Sequence, residues 1–178
     1  MPEDTGIVFG KDKILLFRRW RDRNEGLDAA LLVFQTDHTF TYSRELDRIT
    51  TKQGVIVKVG GLESEVPIEA VQAKTDPTAS LLKESVIKGE KLELWEITVD
   101  EEAQNEEGKY PAVYCQGYLD SWEIGANVDD ESTVSSTFIV EKVPQEGYSA
   151  LPEDVETAVQ YAFREAVADG ENYDPEGA

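Results

Sequence analysis

The stretch TFTYSRELDRITTKQGVIVKVGGLESEVPIEAVQA, residues 39–73, decides the fold class of this chain. Phe40 and Tyr42 alternate with threonine and serine, which is the two-residue period of a half-buried strand. The period returns further along, where the alternate apolar residues are Val55, Val57 and Val59. Aromatic and β-branched residues favour strands. The stretch therefore predicts β-structure rather than helix.

Two glycines and a proline interrupt the same stretch. Gly60-Gly61 predicts a hairpin turn between a strand over Gly54–Val59 and another over Leu62–Ala73. Pro67 has no N–H to donate to a strand ladder, so we expect it at a sheet edge or a bulge.

Further strands are predicted on both sides of this stretch, at Ile14–Trp20, Lys91–Asp100, Tyr110–Trp122 and Ser132–Val143. Leu27–Phe34 is apolar and fits either a helix or a strand. Lys91–Asp100 changes face along its length. One face holds Leu92 and Leu94, and the other holds Trp95, Ile97 and Val99. That switch predicts either a bulge or a strand that is buried on each side in turn.

Two helices complete the predicted elements. Asp76–Lys88 has an N-cap aspartate, proline at the first helical position, and Gly89 after its end. Glu153–Ala168 carries an amphipathic stripe of Val155, Val159, Phe163 and Val167. About seven or eight strands with two helices predict a mainly β, antiparallel sandwich or barrel with flanking helices. We expect one domain over residues 1–168 and an acidic, disordered tail over residues 169–178.

Charge is unevenly distributed along the chain, whose formal net charge is −20. Residues 1–60 contain ten Lys or Arg and nine Asp or Glu, whereas residues 61–178 contain seven and twenty-eight. Binding to a nucleic-acid backbone needs a basic footprint, so this class of function is disfavoured. The asymmetry fits either simple solubility or a polar subunit whose near-neutral part meets the acidic part of a neighbour.

Residues for catalysis or cofactor binding are scarce. The chain has one cysteine, Cys115, and one histidine, His38, so it cannot form an internal disulfide or a zinc site with clustered ligands. A Cys–His nucleophile remains open on sequence alone. Gly6–Lys11 lacks the spacing of a phosphate loop. We expect no enzyme, no metal and no cofactor, and no segment that spans a membrane or directs secretion.

Three passages carry a resemblance to a known family. They are VFQTDHTFTYSRELDRITTKQGVIVKVGGLESEVPIEAVQAKTDP at 33–77, KGEKLELWEITVDE at 88–101, and GKYPAVYCQGYLDSWEIGANVDDESTVSSTFIVEKVPQEGYSALPEDVETAVQYAF at 108–163. In length, in the order of the passages and in amino-acid sequence, they resemble the major tail protein, or tail tube protein, family of siphophages that infect Gram-positive bacteria. The span from the first passage to the last covers about three-quarters of the chain, and the first 30 residues match the family pattern least well.

The resemblance implies a tail-tube fold, with two antiparallel sheets packed as a sandwich, a flanking helix and a C-terminal helix. It also implies a structural virion protein that is assembled in the host cytoplasm. Copies would form hexameric rings that stack around a channel, through which DNA passes without specific binding. Expected partners are other copies of the chain, a tape measure protein, and tail terminator or distal tail proteins.

Candidate self-assembly residues follow from charge and pattern. A face bearing Arg18, Arg19, Arg21 and Arg23 could meet Asp100, Glu101 and Glu102 of the next ring. A solvated arginine turn is the alternative. The segment Asp47–Gly61, with Val55, Val57 and Val59, could form a long hairpin that joins a neighbour's sheet edge, or an ordinary internal hairpin.

Two other functions remain open at this stage. One is a tube protein of a contractile tail or a secretion-type apparatus, which would share the fold. The other, from a different class, is a monomeric β-barrel that binds a small apolar ligand.

Overall fold

A computed structural model describes residues 6–159, and this part of the chain contains nine strands and two α-helices. The strands are β1 Lys13–Arg19, β2 Ala30–Leu31, β3 Gln35–His38, β4 Thr41–Thr51, β5 Gly54–Val71, β6 Leu92–Thr98, β7 Tyr110–Leu119, β8 Glu123–Gly125 and β9 Thr133–Ser149. The helices are α1 Pro77–Lys88 and α2 Glu153–Val159. Short 3₁₀ helices cover Gly10–Asp12, Trp20–Asn24 and Glu101–Ala103.

All nine strands belong to one antiparallel sheet. The order is β2-β1-β6-β7-β9-β5-β3, with β4 beside β5 and β8 beside β9. The sheet curls into a half-barrel, so the two layers of the predicted sandwich are parts of one continuous sheet. The predicted mainly β fold with two helices is confirmed, with nine strands rather than seven or eight.

The inner face of the half-barrel holds the main core. Strands from both layers contribute to it, including Phe17 of β1, Val66 of β5 and Phe138 of β9, all almost fully buried. Leu82 of α1 packs into the same cluster. Alternate residues of each strand supply these side chains, which is why the two-residue period of the sequence locates the core.

Strand β6 is buried on both faces, which explains its change of pattern. Leu92 and Leu94 enter the inner core, whereas Ile97 belongs to a second cluster on the outer face. Val155 of α2 covers that outer cluster. No register shift interrupts β6 in its pairing with β1 or β7, so the second of the two predicted explanations is correct.

Gln35 joins the two ends of the curled sheet. Its side-chain amide accepts a hydrogen bond from the Leu15 N–H at 2.9 Å and donates to the Leu15 carbonyl at 2.7 Å. The amide also donates to the Leu32 carbonyl at 3.0 Å. This side chain therefore replaces a backbone peptide, and it connects β3 to β1 where no strand pairing does so.

The expected hairpin turn at Gly60-Gly61 is wrong. Strand β5 runs through both glycines, and the hairpin turn lies between β4 and β5 at Lys52-Gln53. Gly60 lies opposite a bulge in β4, where a Cβ atom would be 3.0 Å from the Glu45 carbonyl oxygen. The glycine therefore permits close approach of two strands rather than a reversal of the chain. The hairpin predicted within Asp47–Gly61 does form.

The edge or bulge position expected for Pro67 is also wrong. Its strand is central, with β9 on one side and β3 and β4 on the other. The Pro67 carbonyl accepts a hydrogen bond from the Thr39 N–H at 3.2 Å, in the junction between β3 and β4. Since N and O of one strand residue point to the same side, the missing N–H faces this junction, and only the return bond to Thr39 is absent from the ladder.

The remaining expectations have mixed outcomes. Leu27–Phe34 contains only the two-residue strand β2, and Phe34, with a left-handed φ of 56°, lies in the turn before β3. Helix α1 has its predicted caps, with Asp76 accepting from the Thr78 N–H at 2.9 Å and Gly89 left-handed at its end. The strand predicted to end at Val143 extends to Ser149. Residues 160–168 of the second predicted helix, the domain boundary at 168 and the tail over 169–178 lie outside the described residues.

Replacing Gln35 with leucine tests the closure of the half-barrel. The change leaves the Leu15 N–H and carbonyl without partners, so we expect the free energy of unfolding to fall by about 2–4 kcal/mol. Urea denaturation followed by tryptophan fluorescence measures it. Gln145→Leu is the control, because that exposed amide donates only to the nearby Val143 carbonyl. Equal stability of the two variants would contradict the role assigned to Gln35.

Gly117 is the second test of the fold, because β9 approaches it closely. A Cβ there would lie 1.9 Å from the Ile139 carbonyl oxygen, which is backbone and cannot move aside. We expect Gly117→Ala to lower stability by about 3 kcal/mol. Gly61→Ala is the matched control, since nothing lies within 4 Å of its Cβ position. Thermal denaturation that shows no difference between the two variants would refute this packing constraint.

Candidate functional site

Three of the four candidate arginines bind acids of their own chain, and two of these three, Arg18 and Arg19, are largely buried. Arg18 Nε lies 2.7 Å from Glu93 Oε2. Arg19 contacts Glu84 at 2.5 Å and Glu90 at 3.1 Å, and so connects β1 to α1 and to the loop after it. The side chains of Arg18 and Arg19 are only 22% and 15% exposed. These two residues therefore stabilise the subunit itself.

Arg21 and Arg23 lie in the 3₁₀ helix Trp20–Asn24 and are exposed. Arg21 is 2.9 Å from Glu90 with 58% of its side chain exposed, and Arg23 covers the ring of Trp20 at 3.8 Å. Exposed ion pairs contribute little to stability. These two guanidinium groups can therefore exchange their present partners for acids of another subunit at low cost.

The candidate acids at residues 100–102 lie at the opposite end of the molecule from these arginines. Strand β6 begins at Leu92, beside Arg19 of β1, and ends at Thr98, just before the acids. Seven strand residues separate the two groups by roughly 20 Å. Glu101 and Glu102 are exposed. The structure thus places the two groups at opposite ends of one subunit rather than together.

The β4–β5 hairpin projects from the body as an arm, defined here as residues 44–61. Side chains over residues 42–50 and 52–59 are exposed on both faces. Cross-strand pairing gathers four apolar side chains on one face, each 53–60% exposed: Leu46, Val55, Val57 and Val59. An isolated two-stranded hairpin is marginally stable in water. This apolar face therefore has no covering partner within the described part of the chain.

Two strand edges also lack a partner among residues 6–159. Strand β5 pairs with β9 only between residues 65–71 and 133–139, and beyond this the two strands diverge. Residues 54–63 and 140–149 each keep one unpaired edge. Lys142, with φ of 66°, lies within β9 just beyond this divergence, where the pairing of β9 with β7 shifts register. Unpaired edges of this length are sites at which another chain can add a strand.

The outer face of β3, β5 and β9 is bare and acidic, and it is called the bare face below. Its exposed carboxylates are Asp37, Glu63, Glu65, Glu69 and Glu123. No lysine or arginine occurs in residues 35–43, 63–71 or 123–139. The curl of the sheet turns the bare face away from the outer cluster that α2 covers.

A polar cleft of about 820 Å³ lies beside the inner core. Its lining includes Glu96, whose carboxylate lies 3.0 Å from Lys13 Nζ and 2.8 Å from His38 Nε2. Burial alone raises the pKa of Glu96, but the hydrogen bonds from His38 and Lys13 outweigh burial and hold that pKa below its usual value. A cleft lined by ion pairs is unsuited to a small apolar ligand.

Cys115 lacks the properties of a nucleophile. Its side chain is buried in the inner core, and burial, together with the charge of Glu96, raises the pKa of the thiol to about 12. The Nε2 of His38 is hydrogen-bonded to Glu96 rather than to the sulfur.

Within residues 6–159, no three His, Cys, Asp or Glu side chains are grouped to hold a metal ion. Over the same residues, no helix is long and apolar enough to cross a membrane.

The structure combines an exposed apolar arm with unpaired strand edges and a packed core. These features define a class of protein, a β-rich subunit whose exposed apolar surface and strand edges are suited to binding other chains. The family can be named from the sequence. Residues 7–146 match the family model of the phage tail tube protein, so the chain belongs to that family. It is a structural component of the virion tail.

Individual relatives agree with the family. A protein of Staphylococcus phage phiMR25, assigned provisionally as a tail protein, is 26% identical over 145 residues, covering 81% of this chain and 74% of the relative. The fold is similar to the SPP1 tail tube, with a TM-score of 0.69, 17% identity, and coverage of 93% of this chain and 96% of that chain. It is also similar to the tail of a gene transfer agent, with a TM-score of 0.58, 13% identity, and coverage of 80% and 98%.

Sequence reasoning located the arm and missed several polar positions. Val55, Val57 and Val59 share one exposed face, as their alternation predicts. Gln35 and Glu96 were not predicted as important residues because their partners, Leu15 and Lys13, lie 20 and 83 residues away in the chain. The one available signal was a glutamate at an inner-face position of β6, next to Leu94 and Ile97. A charge at such a position requires a partner.

Replacing Glu96 with glutamine tests the ion pairs in the cleft. The folded-state pKa of Glu96 lies below its usual value of 4.5, so its contribution to stability is present above pH 4.5 and is lost as pH falls through the folded-state pKa. We expect the variant to be less stable by about 1–2 kcal/mol at pH 7. The difference should shrink below pH 4.5 in urea titrations.

Glu107→Gln is the control for this experiment. Its partner Lys109 also lowers the pKa of Glu107, but the pair is exposed, so stability at pH 7 should not change measurably. A difference between wild type and Glu96→Gln that does not depend on pH would refute the electrostatic origin of the effect.

Proposed function

We propose that this chain forms hexameric rings that stack into a tail tube, and that DNA passes through the channel without specific binding. The role is structural and involves no catalysis. The observation that carries the proposal is the arm, whose four exposed apolar side chains need a cover that residues 6–159 do not supply. Burial of apolar surface is the main driving force for association between protein chains.

Relatives support this assembly. The SPP1 structure is that of a tail tube, and the tail of the gene transfer agent was refined with C6 symmetry. Six-fold symmetry in a protein of the same fold supports hexameric rings here. The tape measure protein and the tail terminator or distal tail proteins would contact the ends or lumen of such a tube. Assembly in the host cytoplasm fits a chain with one buried thiol and no disulfide.

Ring-to-ring stacking would use both ends of the subunit. Arg21 and Arg23 are exposed at one end, and Glu101 and Glu102 are exposed at the other. A contact between unlike ends is heterologous and can repeat without closing, which a tube requires. Arg18 and Arg19 support this contact indirectly, because their ion pairs with Glu93 and Glu84 hold the arginine turn in place.

The bare face would line the channel. Its five carboxylates have no lysine or arginine on the same strand segments, so DNA phosphates would be repelled along the whole surface. Helix α2, which covers the other part of the outer face, would then point away from the lumen. Repulsion between exposed charges is screened beyond about 8 Å at physiological salt, so assembly should depend on salt. A cryo-EM map with a neutral or basic lumen would remove this assignment.

A tube of a contractile tail or secretion-type apparatus is the second candidate. The fold is also similar to a chain of the anti-feeding prophage baseplate, with a TM-score of 0.53 and 9% identity. The SPP1 tail tube has the higher TM-score and covers more of this chain, which favours a non-contractile tail. A sheath gene beside the gene for this protein would favour the contractile tail.

Substitution of the arm valines tests self-assembly. Val55→Thr, Val57→Thr and Val59→Thr together keep β-branched side chains and remove apolar surface, so the subunit should fold while tubes are lost. Negative-stain microscopy and sedimentation of the purified protein across salt concentrations give the readout. Ile87→Ala removes an exposed apolar side chain from α1 and serves as the control. Normal tube yield from the triple variant would refute the role of the arm.

A further inference from the structure

The arm carries positive charges that its own chain does not neutralise. Residues 44–61 contain four basic and two acidic residues, in a chain of net charge −20. Arg48, Lys52 and Lys58 are exposed and form no ion pair with any residue in 6–159. This differs from the arginine turn, where Arg18, Arg19 and Arg21 are all paired. The arm therefore offers both an apolar face and free cations.

The loop over residues 120–132 has the complementary properties. It contains five acids, Asp120, Glu123, Asp129, Asp130 and Glu131, and no lysine or arginine. None of the five forms an ion pair with the described basic side chains. The loop also exposes two apolar side chains, since Val128 is 97% exposed and Ile124 is 47% exposed.

The arm and this loop lie at opposite ends of the subunit. Strands β5 and β9 are antiparallel, so the Gly54 end of β5 points in the direction of the Ser149 end of β9. The loop precedes Thr133, at the other end of β9. The arm extends about 25 Å from the bulge at Glu45 to its tip, away from the loop. Within one chain the two cannot meet, but between copies placed head to tail they can.

We propose that the arm of one copy docks on the 120–132 loop of a second copy. This inference rests on the proposed function and names the surface that receives the arm. Val57 and Val59 pack against Val128 and Ile124. Arg48, which lies opposite Val57 on the same face of the arm, and Lys52 at the turn face the carboxylates of Asp129, Asp130 and Glu131. At the same head-to-tail contact, the acids at 100–102 of the first copy meet the exposed arginines of the second copy. Here the first copy supplies the negative charge, whereas in the docking of the arm it supplies the positive charge. Two contacts of opposite polarity define the register of the copies.

Cysteine cross-linking tests the contact directly. A Val57→Cys, Val128→Cys double variant should give a ladder of disulfide-linked multimers after mild oxidation, read on a non-reducing gel. Each single variant should remain largely monomeric, and the native Cys115 should stay unreacted because it is buried. A Val57→Cys, Ile87→Cys variant is the matched control, since Ile87 is also exposed but lies on α1. No ladder from oxidised tubes of the Val57→Cys, Val128→Cys variant would overturn the proposal.

Charge reversal is the second, independent test. Arg48→Glu with Lys52→Glu, or Asp129→Lys with Asp130→Lys, should lower the sedimentable tube fraction at least about tenfold, and all four changes together should restore it. Circular dichroism checks that each variant folds.

The two proposals fail in different ways. If wild-type protein forms no tubes or rings at any salt concentration, the proposed function fails. If wild-type protein forms tubes and both charge-reversed pairs form them equally well, only the docking of the arm on the loop is refuted.

Discussion

The hydrogen bonds between Gln35 and Leu15 close a sheet that would otherwise be open along this side. Strands β1 and β3 lie near opposite ends of the strand order and share no ladder, so nothing in the backbone pairing brings them together. The Gln35 amide satisfies both backbone groups of Leu15, as a neighbouring strand would. The closure brings β1 and β5 to one inner core, with Phe17, Val66 and Phe138 packed in the same cluster.

Closure of the half-barrel also decides which surfaces remain free. Strands β1 and β6 are covered on both faces, by the inner core and by the cluster under α2. Strands β5 and β9 are covered on one face only, and the arm leaves the body where β5 no longer pairs with β9, before residue 65. The subunit thus has a stable body and a peripheral part that gains little burial from the described residues. This division suits a protein whose folding precedes assembly, because the body does not depend on the arm for its core.

Charge follows the same division between body and periphery. The ionic groups of the body are satisfied internally: Glu93 binds Arg18 and Tyr114, and Glu96 binds Lys13 and His38. Buried charges need such partners, because an unpaired one is costly. At the periphery, the cations of the arm and the acids of the 120–132 loop form no ion pairs with the described residues. Unpaired exposed charges cost little in a monomer, and they can set register and encounter rate when copies meet.

The sequence by itself determined most of the longer strands, the helix α1 and the exposed valine face of the arm. Those features depend on local periods and caps, such as the alternation of Val55, Val57 and Val59 or the Asp76 cap, which neighbouring residues encode. The sequence did not reveal that Gly60-Gly61 lies within a strand, because the reason is a bulge in β4 that only pairing creates. Nor did it show that Arg18 and Arg19 are engaged within the chain, because their partners are 65 to 75 residues away. Only the tertiary structure could decide which charges are neutralised and which remain free, since long-range pairing depends on how the sheet closes.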